Sequence, residues 1–180
     1  MHGIIFCELR RYVEQTLGVP AWPALLNTAG LPERLYVPGP QYPDAELTTL
    51  VSTAVQVTGR PAAAILEDFG EFIVPALFTT YGPLVEPEWR TLDLLEHTEE
   101  TIHRVVRLRN PDAAPPQIQC TRRHATEVVI TYTSSRKLCA LAKGIVRGVA
   151  KHYQETVVLT DLTCMLAGAR ECQISVTLAR

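Results

Sequence analysis

Some three-quarters of the way along this 180-residue chain, Tyr132-Thr133-Ser134-Ser135-Arg136 ends a run of β-branched residues. In an extended chain residues two apart share a face, so Tyr132, Ser134 and Arg136 would offer a phenol, a hydroxyl and a guanidinium side by side. A guanidinium grips planar or tetrahedral anions bidentately and the hydroxyls add neutral donors, which makes the trio a clamp for a carboxylate or phosphate. A solvated strand end with three unrelated polar residues is the commoner meaning of a bare Y-x-S-x-R. His103 is the second singular residue, at the edge of an apolar stripe formed by Leu95, Ile102 and Val106. A lone helical histidine is more often surface or satisfied core than a ligand. The remaining histidines, His2, His97, His124 and His152, form no HxxxH or HExxH pair, which removes a helical zinc-hydrolase site. Cys7, Cys120, Cys139, Cys164 and Cys172 are odd in number and widely spread, and they read as core thiols, a metal site or a redox device.

These residues need a scaffold, and the apolar periodicity supplies one. Ile4, Ile5, Leu9, Val13 and Leu17 predict an opening helix stopped by Gly18 and Pro20. A short helix over residues 20–28, a proline-rich connector over 31–43, and a helix over 45–57 with Asp44 as N-cap come next. Pro61 starts a fourth helix over 62–78, and after a loop at 82–87 the apolar residues from Leu92 to Leu108 mark a fifth that carries His103. Beyond the turn-rich 110–116 linker the pattern changes to β-branched runs at 117–122 and 126–133, an antiparallel pair. A helix over 138–153 follows, in which Gly144 and Gly148 leave a smooth stripe for another backbone, and then a hairpin of strands at 156–164 and 172–178. The fold class is α+β: a helical N-terminal half packed on a C-terminal half with a four-stranded antiparallel sheet and helices. We read it as a single domain over 1–180, with a helical subdomain at about 1–62 and a sheet subdomain at about 63–180.

Composition narrows the function. With 47% hydrophobic and 20% charged residues the chain can bury a core without staples. Seventeen basic against nineteen acidic residues give a net charge of −2, which argues against nucleic acid as a partner. No apolar stretch reaches the roughly 20 residues a bilayer requires. The opening residues lack the form of a signal peptide, so the expected location is the cytoplasm, without membrane association.

Order and spacing make the signals recognisable together. The sequence resembles the haem-nitric oxide/oxygen binding domain family, H-NOX, which includes the sensor domain of soluble guanylate cyclase. The residues that carry the resemblance are the Met1-His2-Gly3-Ile4-Ile5 opening, Tyr42-Pro43-Asp44, Phe69-Gly70-Glu71-Phe72, Thr101-Ile102-His103, Pro115-Pro116 and the Tyr132-x-Ser134-x-Arg136 triad. The resemblance implies haem b between the two halves, with His103 as the only protein ligand to iron and Tyr132, Ser134 and Arg136 on the propionates. It further implies Pro116 against the porphyrin, Asp44 paired with Arg136, and Gly70 at a junction where the halves move. Ile5, Leu9, Ile73, Leu141 and Ile145 would line the gas pocket. The last four form its distal wall and are all aliphatic, and the six tyrosines fall elsewhere, so bound oxygen would find no hydrogen-bond donor. The expected function is therefore a nitric oxide sensor that also takes carbon monoxide but not stable oxygen, and not an enzyme. A peroxidase would need polar acid-base groups beside the iron, which an aliphatic wall lacks. A sensor of this kind would signal to a separate partner, by resemblance a bacterial histidine kinase or a cyclic-di-nucleotide enzyme.

The cysteines divide under the same resemblance. Some bacterial members hold zinc with three cysteines and a histidine, and this chain has Cys139, Cys164 and Cys172 with Asp161 where the histidine would be. Carboxylate is an accepted zinc ligand, and His124 or His152 could stand in for it. Zinc ranks ahead of ordinary buried thiols, with a thiol-disulfide switch third. Cys7 and Cys120 are expected in the core or beside the haem. A haem-independent zinc or thiol sensor, or a scaffold of the same fold, is the alternative function.

Overall fold

The computed structural model describes residues 1–32, 34–111 and 113–179. Its first element, α1 (Gly3–Leu17), starts where the His2 ring accepts the Ile4 amide and buries Phe6, Leu9 and Val13, one face at the helical period. Helices α2 (Ala21–Thr28) and α3 (Asp44–Thr58) pack beside it, and α3 ends on Gly59 in the left-handed region that glycine adopts most easily. The cap differs from expectation. Pro43 occupies the N-cap position and Asp44 the first helical turn, because its carboxylate is committed to longer-range partners described below. Phe6, Leu47, Leu50 and Phe69 are the centre of the N-terminal core, each no more than 2% exposed.

Helix α4 (Ala62–Tyr81) runs straight past Pro75, three residues beyond the predicted end. Pro75 has no N–H for the Glu71 carbonyl one turn earlier, and the backbone of α7 (Cys139–His152) comes up to that carbonyl instead, at Gly148. The expected glycine stripe thus meets α4. A side chain at Gly144 would land in the Glu67 carbonyl, and one at Gly70 would lie 2.9 Å from the Gly144 Cα. Ion pairs close the edges of this crossing, Lys151 with Glu71 at 2.8 Å and Arg147 with Glu67. Leu66, Phe69 and Ile73 of α4 belong to the N-terminal core, while Val74 packs with Leu94 and Val149 in a small separate cluster.

The predicted fifth helix is not continuous. It divides into α5 (Thr91–Thr98), a π-helical turn (Glu99–His103) and α6 (Arg104–Arg109). The four strands β1 (Gln117–His124), β2 (Glu127–Thr133), β3 (Val157–Thr163) and β4 (Cys172–Leu178) form one antiparallel sheet in the order β1-β2-β4-β3. Val128, Ile130 and Tyr132 of β2 and Cys172, Ile174 and Val176 of β4 face one side, where Leu92, Leu95, Cys139 and Val146 cover them. The α+β architecture is as expected. Among the described residues no helix is long and apolar enough to cross a membrane.

Candidate haem site and thiol cluster

The π turn delivers His103. Its extra residue per turn changes the direction of everything after Glu99, and such turns gather at functional positions. The His103 side chain is 14% exposed, and its Nδ1–H donates to Glu99 Oε2 at 2.8 Å. Burial pushes the imidazole below its ordinary value, only partly offset by Glu99, so at neutral pH the ring is uncharged with a proton on Nδ1. That leaves Nε2 as the nitrogen able to bind a metal. Glu99 also accepts from Arg107 at 2.6 Å and from the Ile118 amide at 3.3 Å. Burial alone would raise the Glu99 carboxyl, but the bonds from His103 and Arg107 outweigh it and hold it below the usual range.

The segment before β1 links this histidine to the triad. The Pro116 carbonyl lies beside the His103 ring, and two residues earlier the Ala114 carbonyl accepts from Arg136 Nη1 at 2.5 Å. Tyr132 closes β2 in the sheet core at 3% exposure, where burial pushes its hydroxyl up and keeps it a neutral donor. The clamp is not built on an extended strand as expected. The chain turns after Thr133, the Ser134 carbonyl accepts the Lys137 amide at 3.1 Å, and the Ser134 hydroxyl accepts the Arg136 amide at 3.2 Å. The turn brings the Ser134 hydroxyl to the Tyr132 phenol and sends Arg136 toward Asp44 and Ala114, instead of alternating the three along a strand. Arg136 Nε donates to Asp44 Oδ2 at 2.7 Å, which joins α3 to the sheet end as the resemblance implied. Its Nη2 has no protein partner among the described residues and is left for an anion. A neutral imidazole with one oriented nitrogen, and a guanidinium with an unspent donor edge, are a donor set that fits an iron porphyrin with carboxylate side chains.

Ile5, Leu9, Ile73, Leu141 and Ile145 come together in the N-terminal core from α1, α4 and α7. Against the expectation that the tyrosines fall elsewhere, Tyr36 lies within this core and Tyr12 and Tyr42 pack against it, but their hydroxyls are already engaged. Tyr36 donates to Glu46 at 2.7 Å, Tyr42 accepts from the Val37 amide at 2.9 Å, and the Tyr12 hydroxyl meets Arg60. Cys7 packs in the same core and Cys120 in the sheet core, where burial pushes its thiol up to about 12.

Cys139, Cys164 and Cys172 place their sulfurs within 4.8 Å of one another, with Cys139 and Cys164 at 4.0 Å, so no disulfide joins them. Asp161 is not a member of this group, against expectation: its carboxylate is held by Lys143 of α7 at 2.9 Å. Neither alternative histidine is a member either. His124 is exposed beside Glu127, and His152 stacks on Phe78 at 3.7 Å. Burial, reinforced by Cys172, pushes the Cys139 thiol up to about 12. The Leu166 amide draws Cys164 below its ordinary value and outweighs its slight burial, which makes it a readier thiolate than Cys139.

Sequence reasoning missed Glu99 and the carbonyls of Ala114 and Pro116. Glu99 carried a signal, since it stands one helical turn before His103. The carbonyls carried none, because every residue has one.

The haem-NO-binding family model matches residues 2–161. The chain is similar to an H-NOX protein from S. oneidensis in the Fe(II)NO state, with 27% identity, a TM-score of 0.93 and full coverage (100%) of both chains. An NMR structure of an S. oneidensis H-NOX domain in the Fe(II)CO state is 27% identical with a TM-score of 0.89, covering 100% of this chain and 99% of that one. The unliganded Fe(II) H-NOX protein from K. algicida shares the fold at 20% identity and a TM-score of 0.85, over 100% of this chain and 97% of that one. No curated protein sequence matches the chain. Histidine, triad, fold and family model agree: the chain belongs to the haem-NO-binding family and is an H-NOX domain, of the haem-based gas-sensing class.

Proposed function

We propose that this protein is a cytoplasmic nitric oxide sensor that binds haem b through His103 and switches a separate signalling partner without catalysing a reaction. The observation that carries the reading is His103 itself, neutral through burial and fixed at Nδ1, on the same short segment of chain contacts as Arg136. Haem would supply a ferrous iron able to take nitric oxide or carbon monoxide in competition with His103. Tyr132, Ser134 and Arg136 would hold the propionates, and Pro116 would press on the ring beside His103. The aliphatic wall of Leu9, Ile73, Leu141 and Ile145, with Ile5, would exclude water and give oxygen no donor.

Release of His103 would be the switch. A helical half of about 1–62 then turns against the rest, with Gly70 at the junction, where α4 lies close enough to the Leu141 carbonyl for a small rotation to be felt in α7. The partner would be a histidine kinase or a cyclic-di-nucleotide enzyme. The three thiols would hold a structural zinc, with Asp161 leaving Lys143 to complete the set or water taking the fourth place. Titrating the purified ferrous protein with nitric oxide tests the reading. Its Soret band should move from the histidine-bound position, and His103→Gly should lose that starting spectrum and regain it with imidazole. A colourless protein or an unmoved band rejects the gas-sensor reading, and metal analysis of the same sample at less than about a tenth of an equivalent of zinc rejects the zinc site.

A further inference from the structure

We infer that Glu99 is a positioning residue that sets how firmly His103 holds iron, and that Arg107 opposes it; this rests on the reading of His103 as the axial ligand. Glu99 and His103 are the first and last residues of the π turn, and Glu99 Oε2 accepts the Nδ1–H at 2.8 Å. A carboxylate in that position draws the Nδ1 proton toward itself and pushes electron density into the ring, which makes Nε2 a stronger donor to a metal. With exposures of 14% for His103 and 29% for Glu99, water competes little for this bond. A neutral acceptor, the Pro116 carbonyl, also lies beside the ring, so the charge that Glu99 adds is separable from simple orientation.

The two carboxylate oxygens have different work. Oε1 accepts from Arg107 Nη2 at 2.6 Å, which draws charge away from the histidine and weakens the push. Oε2 takes the Ile118 amide as well as the imidazole, at 3.3 Å, so the oxygen that feels His103 also holds the start of β1. A His103 ring no longer held at Nε2 would be free to turn, Oε2 would lose its shorter bond, and the Ile118 amide at the edge of the sheet would be the first backbone to register it. Glu99 is thus both a setting for the switch and its first relay.

The haem-loaded ferrous protein is compared with Glu99→Gln and Arg107→Gln, each checked for haem stoichiometry, and with His103→Gly as control. Resonance Raman spectroscopy reads the iron–histidine stretch, spectroelectrochemistry the midpoint potential, and stopped flow the loss of histidine after mixing with nitric oxide. Glu99→Gln keeps the shape and removes the charge; it should lower the stretch, raise the potential and speed histidine loss about tenfold, the lower end of what removing such a partner costs a ligating histidine. Arg107→Gln should move all three readings the opposite way. Arg107 is 42% exposed, so this variant keeps the test decisive even if Glu99→Gln folds poorly. Movement in the same direction in both variants means a merely structural ion pair and overturns the inference, as does an unmoved stretch in either one. Absence of an iron–histidine band in the unaltered protein overturns the reading of His103 and this inference together, whereas a band that Glu99→Gln leaves in place overturns this inference alone.

Discussion

Leu141 is the position where one side chain most directly decides which gas is held. It sits at 8% exposure in the aliphatic cluster with Leu9 and Ile73, on the face of α7 that meets α4. Bound oxygen is polar and gains from a donor, whereas nitric oxide bonds strongly without one. A hydrogen bond from a tyrosine introduced there is worth about 1.4 kcal/mol, or about tenfold in oxygen escape. Leu141→Tyr should therefore keep oxygen in air where the unaltered protein does not, as read from the air-equilibrated absorption spectrum. Retention of oxygen by the unaltered protein would show that the wall is not the discriminating feature. At this scale the sequence is legible where side-chain chemistry is uncommon. His103 and Y-x-S-x-R stand out because few residue types can grip metal or carboxylate. Asp161 shows the limit: its position in the chain suggested a ligand, but Lys143, a whole element away, holds its carboxylate. Such competition between partners appears only once the elements are packed.

Elements were legible through period. Helices α1 to α4 and α7 follow apolar residues at three and four, and the strands follow β-branched runs, with ends within a few residues of expectation. The π turn left no such mark, since one extra residue in five disturbs the period less than ordinary irregularity does. The placing of β4 beside β2 is likewise a non-local choice. The α4/α7 crossing lies between these cases: Gly144 and Gly148 announced a close approach without naming what approaches. Because a methyl at Gly144 would overlap the Glu67 carbonyl, and backbone cannot swing aside as a flexible side chain can, Gly144→Ala should cost about 3 kcal/mol, the upper part of the usual range for overpacking. Gly82→Ala is the control. Gly82 has a helical φ of −52° and its added methyl would meet nothing within 4 Å beyond its chain neighbours, so with only the restriction that Pro83 places on the residue before it, it should cost much less than Gly144→Ala. Urea unfolding midpoints measure both, and equal midpoints would mean that α4 and α7 are free to separate at little cost.

Across the whole molecule the two cores are joined by few polar ties, and Asp44 carries the one nearest the triad. Its Oδ2 accepts from Arg136 at 2.7 Å, and its Oδ1 lies 2.8 Å from the Met1 ammonium as an ion pair outside hydrogen-bond geometry. Burial alone would raise this carboxyl, but the amino terminus and Arg136 together hold it below its ordinary value. The folded protein therefore takes up the Asp44 proton less readily than the unfolded chain, and stability rises with pH across that interval. The contribution is complete above the unfolded value of about 3.9 and is lost as pH falls through the lower folded value. Asp44 is 44% exposed, so solvent screening reduces the tie to about 0.5–1 kcal/mol. Asp44→Asn should unfold at lower urea than the unaltered protein at pH of about 7, and the gap should begin to narrow as pH falls below about 3.9 and close only below the lower folded value, where both carry a neutral side chain. Comparing the two at each pH cancels the acid sensitivity from Glu99 and Glu155, whose carboxyls are also held low. A gap that persists at low pH would assign the loss to packing rather than charge, and Asp44 would then be a helix residue and not the tie between the halves.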